Sequence, residues 1–400
     1  MRPKIPLVAI VALAVGRAFS QPPPPPANEP WPERAARMSR EAETRGLAEP
    51  FRGITTNGTV QPGLFTLHST GVSTGPVRTA VTAWLATLSA EQRAKATFAI
   101  DDVEWRKWMN QDFYVRQGVS FKEMSGAQRT AAFGLMKAAL SAKGLKLSQD
   151  IMKLNETLGE LNHDFVRYGE QLYWITVMGT PSATQPWGFQ IDGHHLIINY
   201  FVLGDQVVMT PVFLGSEPVI APSGKYQGLT ILQEEQNRGV KLLLGLDEAQ
   251  RQRAVLEISK TGNNNLTEAF KDNVVLDYAG VRAKDLTAAQ KQSLVNLIEL
   301  FVSNLDEGHA RVKMDEVRAH LDETCFAWIG GSGENDVFYY RIHSPVVLIE
   351  FDHQRPVNTR QFSATPNLPS RQHIHIVVRT PNGNDYGKDL LRQHLLALPH

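Results

Sequence analysis

The chain has 400 residues, and its 41 Lys and Arg residues balance its 41 Asp and Glu residues, which gives a formal net charge of zero at pH 7. This balance, with no basic run interleaved with aromatic residues, argues against a nucleic-acid-binding protein or one drawn to anionic membranes. The one cysteine, Cys325, cannot form an internal disulfide. Its apolar surroundings predict a buried, inert thiol.

The N-terminus has the pattern of a secretory signal peptide. A basic start precedes an apolar run over residues 5–15 and the small-x-small sequence AFS before Gln21. We therefore predict a signal peptide at 1–20, a Pro-rich spacer at 21–30 and one large domain at 31–400. The protein is then exported to a periplasm or to the outside. No later segment approaches eighteen consecutive apolar residues, which predicts no transmembrane span in the mature chain.

Helical and strand-like patterns alternate in large blocks along the chain. Apolar residues recur at three-four spacing from about residue 76 to 165, and a second helical stretch is predicted from about 229 to 305. Strand-like segments fill 172–214 and the region after 324, and a short helix closes the chain. This segregation predicts an α+β fold with helical segments on a largely antiparallel sheet. The motifs of nucleotide-binding loops, α/β-hydrolases and zincins are absent from the sequence, so no nucleotide cofactor is expected.

One phrase recurs at four predicted helix starts. In each copy a Ser, Asp or Thr is followed three residues later by Gln, which is the spacing of a capping box. The recurrence is compatible with two related helix-plus-sheet halves. The four copies are LSAEQR at Leu88, MSGAQR at Met124, LDEAQR at Leu246 and LTAAQK at Leu286.

Histidines in strand-like segments are the first candidates for chemistry. His373 and His375 lie two apart, so in a strand they share a face about 6.5–7 Å apart along the chain. Two imidazoles at that spacing can bind one metal ion. A pair of hydrogen-bonded core histidines is the alternative.

The stretch GFQIDGHHLIINY reads as one buried strand with two adjacent histidines. Since neighbouring strand residues face opposite sides, only one of His194 and His195 joins a given site. Strict alternation puts His195 on the face of Asn199, which would orient its ring or contact a ligand. We expect His195 to face inward, unless a bulge at Gly193 exchanges the two histidines.

Glu350 follows an apolar run in PVVLIEFDH, which draws a carboxylate into a buried strand. A buried carboxylate is costly unless it is paired, protonated or metal-bound. It is therefore a candidate metal ligand or general base. The alternative is a buried ion pair with Arg341 or Arg379, and either arginine is also a candidate anchor for an anionic or carbonyl group of a substrate.

The segment TPNGNDYGKDLL after the HIH strand is a turn followed by a helix. Asp385 is expected to cap that helix or to support a site. Tyr386 would line a pocket beside the HIH strand.

Taken together, these stretches resemble the family called domain of unknown function 3500. The resemblance implies one large domain, usually in exported proteins, but no reaction. The GHH, the Glu of IEFD and the HIH look like hallmarks of that family, which implies that these histidines and Glu350 converge. The matching phrases are TTNGTVQPGLF, PWGFQIDGHHLIIN, TPVFLG, FAWIGG, YYRIHSPVVLIEFD and HIHIVVRTPNGNDYG.

The leading hypothesis is an exported metal-dependent hydrolase or lyase. His373, His375 and one of His194 or His195 would bind a zinc, iron or copper ion, with Glu350 as ligand or general base. The substrate would be a small molecule, such as a carbohydrate or ester. Two alternatives stay open: a metal-free His/Glu acid–base enzyme, and a non-catalytic binding protein with a structural histidine cluster.

Overall fold

The structure, a computed structural model, describes residues 29–397. The predicted signal peptide and most of the Pro-rich spacer lie outside the described residues. No helix within 29–397 is both long and apolar enough to cross a membrane. The described helices are α1 (Trp31–Gly46), α2 (Gly75–Thr87), α3 (Ala90–Ala96), α4 (Gly126–Ala139), α5 (Ala142–Asn162), α6 (Gln233–Leu244), α7 (Glu248–Ala254), α8 (Ala288–Val302), α9 (Glu307–Ala319) and α10 (Lys388–Ala397). The described strands are β1 (Thr97–Phe98), β2 (Val119–Ser120), β3 (Tyr173–Gly179), β4 (Trp187–Gly193), β5 (Leu196–Leu203), β6 (Gln206–Val208), β7 (Val212–Ser216), β8 (Val255–Glu257), β9 (Val281–Arg282), β10 (Cys325–Gly330), β11 (Phe338–His343), β12 (Leu348–His353) and β13 (Ile374–Arg379).

All thirteen described strands join one sheet. Its order is β1-β3-β4-β5-β7-β13-β12-β11-β10-β8, with β2 beside β3, β6 beside β5 and β9 beside β10. Only the outer pairs β1–β3 and β8–β10 are parallel, and all other pairs are antiparallel. Helices and a mostly antiparallel sheet make this an α+β fold, so the predicted fold class is confirmed.

The sheet consists of two halves with the same arrangement, which meet where β7 pairs with β13. In each half a short parallel edge strand follows the first of two capped helices. All four predicted capping boxes are present, at Ser89, Ser125, Asp247 and Thr287. The glutamines of each half also hydrogen-bond one another, Gln92 with Gln128 in the first half and Gln250 with Gln290 in the second. The repeated helix starts therefore mark corresponding positions in the two halves.

The two faces of the sheet differ in chemistry, although both are buried. Helices α2 and α4–α9 cover an apolar face that carries the main core, with side chains such as Ile198, Phe351 and Ile376. Residues one position away point to the other face, because side chains alternate along a strand. That face carries buried polar groups such as Glu350 and His375 beside a smaller apolar cluster. Candidate functional residues are therefore concentrated on one side of the sheet.

Two local predictions from the sequence are wrong. The stretch GFQIDGHHLIINY is not one strand: β4 ends at Gly193, β5 begins at Leu196, and the two histidines form the two-residue turn of the hairpin. Both strands are buried on both faces, so their sequences run together without a polar break. The predicted helical stretch to residue 305 is interrupted at 258–280, which contain neither helix nor regular strand. Long irregular segments inside a compact domain are commonly functional.

Candidate metal centre

Three histidines meet at one end of the polar sheet face. His373 directly precedes β13, His375 is the second residue of β13, and His195 ends the β4–β5 turn with a positive φ of 63°. Gly215 of β7 lies between them and donates its N–H to the His195 carbonyl over 2.9 Å. A Cβ on Gly215 would lie 3.1 Å from His195 Cδ2 and 2.6 Å from the Ile374 carbonyl oxygen. Glycine at this position therefore lets the His195 ring reach across β7 to the HIH strand.

The Nε2 atoms of the three rings converge. His373 Nε2 lies 2.9 Å from His375 Nε2, and His195 Nε2 lies 3.2 Å from His375 Nε2. All three lie within 4.8 Å of one another. Metal–nitrogen bonds of about 2.0–2.1 Å in a tetrahedron put ligand nitrogens roughly 3.4 Å apart. These spacings suit three imidazoles around a single ion after small adjustments.

The hydrogen bonds of the Nδ1 atoms, which face away from the centre, determine which ring nitrogen carries the proton in His373 and His375. His373 Nδ1 lies 2.7 Å from the Arg355 carbonyl oxygen, and His375 Nδ1 lies 2.7 Å from Glu268 Oε1. Both oxygens can only accept, so each Nδ1 is the N–H donor and each neutral Nε2 presents a lone pair. Two lone pairs at 2.9 Å repel unless a cation or a shared proton lies between them. The arrangement is therefore suited to binding a cation.

Burial favours neutral rings over a shared proton. Loss of solvent lowers the pKa of His195 well below its usual range. It also lowers the pKa of His373 to about 4, although the nearby Glu217 carboxylate opposes the shift. For Glu268, burial by itself raises the pKa, but the charge of His375 and its hydrogen bond outweigh this and hold the pKa below its usual range. At neutral pH the His195 and His373 rings are thus uncharged, and an ionised carboxylate lies behind His375.

A second carboxylate, the buried Glu217, links the centre to the strap, which we define as residues 355–359. Its carboxylate accepts the backbone N–H groups of Val357, Asn358 and Thr359 over 2.8–3.0 Å. It also lies 3.5 Å from His373 Nδ1. Glu217 and Glu268 were both missed from the sequence. Glu268 lies in the unpatterned run NNNLTEAF, and the only signal for Glu217 is a charge directly after an apolar strand.

His194 lies next to the group but outside it. Its ring stacks on His195 with a centroid separation of 4.0 Å. Its Nδ1 lies 2.8 Å from Asn155 Oδ1, and Asn155 Nδ2 donates to the Gly169 carbonyl, which fixes the orientation of that amide. His194 Nδ1 therefore donates, and the ring supports His195 from behind. Of the two histidines, the structure brings His195 to the centre.

Glu350 does not converge on the histidines, and the expectation that it does is corrected. Its side chain is fully buried, and it accepts the N–H groups of Leu266 and Thr267 and the hydroxyls of Thr267 and Tyr339. Burial raises its pKa, and these donors oppose the rise. With this many donors, its oxygens have no capacity left for a metal ion.

The two candidate arginines are also held elsewhere. All five N–H groups of Arg379 are used by the Thr267 and Glu268 carbonyls and by the carboxylates of Asp272 and Asp385. Arg341 contacts Asp277, through its carbonyl at 3.3 Å and its carboxylate at 3.5 Å. Neither arginine forms an ion pair with Glu350 among the described residues. Arg379 has no N–H group left for a substrate, whereas Arg341 Nε is buried without a hydrogen-bond partner.

The three residues predicted to support or line the site form hydrogen bonds with other residues of the interior. Asn199 accepts from Gln190 and donates to the Pro211 carbonyl, so it does not orient His195. Asp385 is fully buried and accepts from Arg379 and the Thr380 N–H. The Tyr386 hydroxyl accepts from Trp108 and donates to Asp272. All three belong to the interior around the sheet and not to the histidine centre.

These buried charges hold the irregular segment 258–280, which we call the pinned loop. Lys260 forms a fully buried ion pair with Asp352 at 2.6 Å, and Asp352 also accepts the Asn264 N–H over 2.7 Å. In the middle of the loop, Glu350 accepts the Thr267 N–H. Arg379 donates to the Thr267 carbonyl and to the carboxylate of Asp272. The residues predicted as catalytic thus hold the pinned loop in position. The pinned loop carries Glu268, which accepts the His375 Nδ1 proton.

The family model described as Protein of unknown function (DUF3500) matches residues 70–388. The chain belongs to this family. The matched range contains every residue of the centre, the strap and the pinned loop. Comparison of this DUF3500 protein with curated proteins and with solved structures finds no match. The family description names no activity, so the chemistry has to be inferred from the site itself.

Proposed function

We propose that this DUF3500 protein is an exported metal-dependent enzyme of the hydrolase or lyase type, with His195, His373 and His375 as the metal ligands. The observation that supports this most strongly is the convergence of three Nε2 atoms, of which those of His373 and His375 are left as lone pairs by the partners of Nδ1. A hydrogen-bonded core does not need this arrangement, because a core pairs donors with acceptors.

Zinc is the ion that fits the ligand set best. Three neutral imidazoles with an open fourth position are one of the recurring ligand sets of catalytic zinc. The group contains no carboxylate, which argues against the two-histidine, one-carboxylate set of non-haem iron. Copper and iron are the other ions to test.

A bound divalent ion would supply Lewis acidity and lower the pKa of a water molecule to about 7. The protein's own residues orient the ligand rings. Glu268 accepts the His375 Nδ1 proton, which raises the basicity of the ligand nitrogen and fixes the ring. The Glu268 side chain is 28% exposed, and its Oε2 has no hydrogen-bond partner within the described chain. We therefore assign Glu268, rather than Glu350, as the group that takes or gives a proton beside the centre.

Glu268→Gln is expected to lower metal affinity about 10–100-fold, because it removes the carboxylate behind His375. The amide keeps the size of the side chain, so the fold should be unchanged. Competition against a chelating dye measures the affinity. Glu299→Gln on the exposed face of α8 is the matched control. Equal affinities in both variants would contradict the role of Glu268.

Export is the second part of the proposal. The predicted signal peptide should be removed after Ser20, so that the exported protein begins at Gln21. Expression of the full chain in a bacterium, followed by N-terminal sequencing of the extracytoplasmic fraction, measures this. An intact N-terminus on protein retained in the cytoplasm would contradict export.

A further inference from the structure

The strap supplies the hydrogen-bond acceptor of one ligand histidine. The Arg355 carbonyl oxygen lies 2.7 Å from His373 Nδ1 and accepts its hydrogen, which leaves Nε2 of His373 as the unprotonated nitrogen. A backbone carbonyl is fixed only by the chain on either side of it. The position of the strap therefore determines which nitrogen of His373 carries the proton.

One carboxylate, that of Glu217, holds most of the strap. Its Oε1 accepts the Val357 N–H over 2.8 Å, the Thr359 N–H over 2.9 Å and the Thr359 hydroxyl over 2.7 Å. Its Oε2 accepts the Asn358 N–H over 3.0 Å. Glu217 is 1% exposed, so these hydrogen bonds to a charged acceptor form without competition from water. Three consecutive residues of the strap thus depend on one side chain.

The strap is only partly packed against the rest of the protein. The Val357 side chain is 62% exposed. A cavity of about 300 Å³ lies against Pro356 and Thr359, and Pro218 and Phe362 also line it. Segments with few buried apolar contacts open locally at a low free-energy cost. Polar contacts, and above all those with Glu217, therefore keep the strap in place.

The first residue of the strap has a second, weaker anchor on the pinned loop. The Arg355 N–H donates to Asn263 Oδ1 over 2.9 Å, and its guanidinium donates to the Thr261 carbonyl over 2.7 Å. Arg355 is exposed, so water competes for these hydrogen bonds. They hold the Arg355 carbonyl less firmly than the buried contacts of Glu217 hold the residues that follow it.

Glu217 also lies near His373, but its effect on the ring is mainly indirect. Its Oε2 is 3.5 Å from His373 Nδ1, at the outer limit of a hydrogen bond, whereas the Arg355 carbonyl is at 2.7 Å. The shorter contact determines the tautomer. Glu217 therefore acts on His373 through the strap.

We propose that Glu217 is a positioning residue of the metal centre, which holds the strap so that the Arg355 carbonyl keeps His373 Nε2 unprotonated, and that the strap becomes more ordered when a metal ion binds. A metal ion can bind Nε2 only in the Nδ1–H tautomer, which the strap stabilises. By thermodynamic linkage, the bound ion must then stabilise the strap in the same position. This inference rests on the proposed metal centre and adds a residue that acts on one of its ligands.

Two variants loosen the strap without changing a histidine. Glu217→Gln keeps the size of the side chain, but only one of its two terminal atoms can accept a hydrogen bond. Thr359→Val removes one donor to Glu217 and keeps the shape of the side chain. Asp205→Asn is the control, because Asp205 also accepts two backbone N–H groups, those of Thr70 and Gly71 over 3.0 Å, but at the opposite end of β5 from His195.

The first two measurements use metal-free protein. Hydrogen exchange of the strap amides, followed by mass spectrometry, is expected to be at least about tenfold faster in Glu217→Gln and to increase less in Thr359→Val. Nitrogen NMR of His373 should show a larger fraction of the Nε2–H tautomer in both variants. Zinc should then bind Glu217→Gln about tenfold more weakly than the wild type, and should slow exchange of the wild-type strap. Asp205→Asn should match the wild type throughout.

Faster exchange of the strap with an unchanged His373 tautomer in both variants would overturn the inference. Strap exchange that changes less than twofold in both variants, or zinc that binds the wild type without slowing that exchange, would also overturn it. If Glu217→Gln does not fold, Thr359→Val decides by the same criteria. A wild-type protein that binds no zinc refutes the proposed metal centre, whereas the two metal-free measurements still decide whether Glu217 acts on His373.

Discussion

His375→Ala is expected to abolish stoichiometric metal binding. His375 Nε2 is the atom shared by both short contacts of the centre, at 2.9 Å to His373 and 3.2 Å to His195. Removing it leaves two rings that no longer surround one point. The loss of affinity should exceed the roughly 10–100-fold expected for an outer partner such as Glu268. Calorimetric titration of the metal-free variant with zinc measures it.

His353→Ala is the matched control for this variant. His353 is a fully buried histidine on the neighbouring strand β12, where it accepts the Phe338 N–H and contacts Gln236. Its loss should lower the free energy of unfolding by about 1–3 kcal/mol, because a buried N–H is left without a partner. It should still bind one ion per chain. A His375→Ala protein that binds zinc as tightly as His353→Ala would refute the ligand assignment.

Arg379→Met is expected to lower the free energy of unfolding by about 3–5 kcal/mol, because it leaves the buried Asp385 without a cation and Asp272 with Arg106 alone. Arg379 lies 2.8 Å from Asp272 and 3.2 Å from Asp385, and all three side chains are at most 1% exposed. The same guanidinium holds the backbone of Thr267 and Glu268. The variant should therefore also bind zinc more weakly, although Arg379 does not contact the histidines. Urea unfolding of the metal-free protein measures the loss of stability separately from the loss of zinc affinity.

The control for this ion pair is Arg238→Met. Arg238 pairs with Glu234 one helical turn away on α6, and both side chains are largely exposed. Such a pair contributes about 0.3–0.5 kcal/mol. An Arg379→Met protein that loses no more stability than Arg238→Met would show that the pinned loop is not held in the described way.

Local patterns in the sequence predicted much of the fold. The four capping boxes depend only on residues three apart, and the same-face geometry of His373 and His375 depends only on strand period. Both kinds of prediction were met because their physical causes are local. The hairpin turn at His194–His195 was missed because no local sequence signal marks it. Its two strands are buried on both faces, so no polar alternation marks where one ends and the next begins.

The site was harder to predict because its outer residues come from irregular chain. The burial of Glu350 was inferred correctly, but its partners include backbone N–H groups more than 80 residues away, and no sequence period reports such a contact. Glu268 lies in a loop whose polar groups are held by buried charges. Its role follows only from the three-dimensional arrangement of Lys260, Asp352 and Arg379. A sequence can therefore indicate the histidines of this centre but not the carboxylates behind them.

The metal content of the untagged, full-length protein tests the central claim most directly. The protein would be purified without chelators and measured by elemental analysis, then stripped and incubated separately with zinc, iron and copper salts. We predict about one ion per chain after incubation with zinc, and its loss in His375→Ala. Sub-stoichiometric metal that stays so after all three incubations would contradict the metal centre and the function proposed for it.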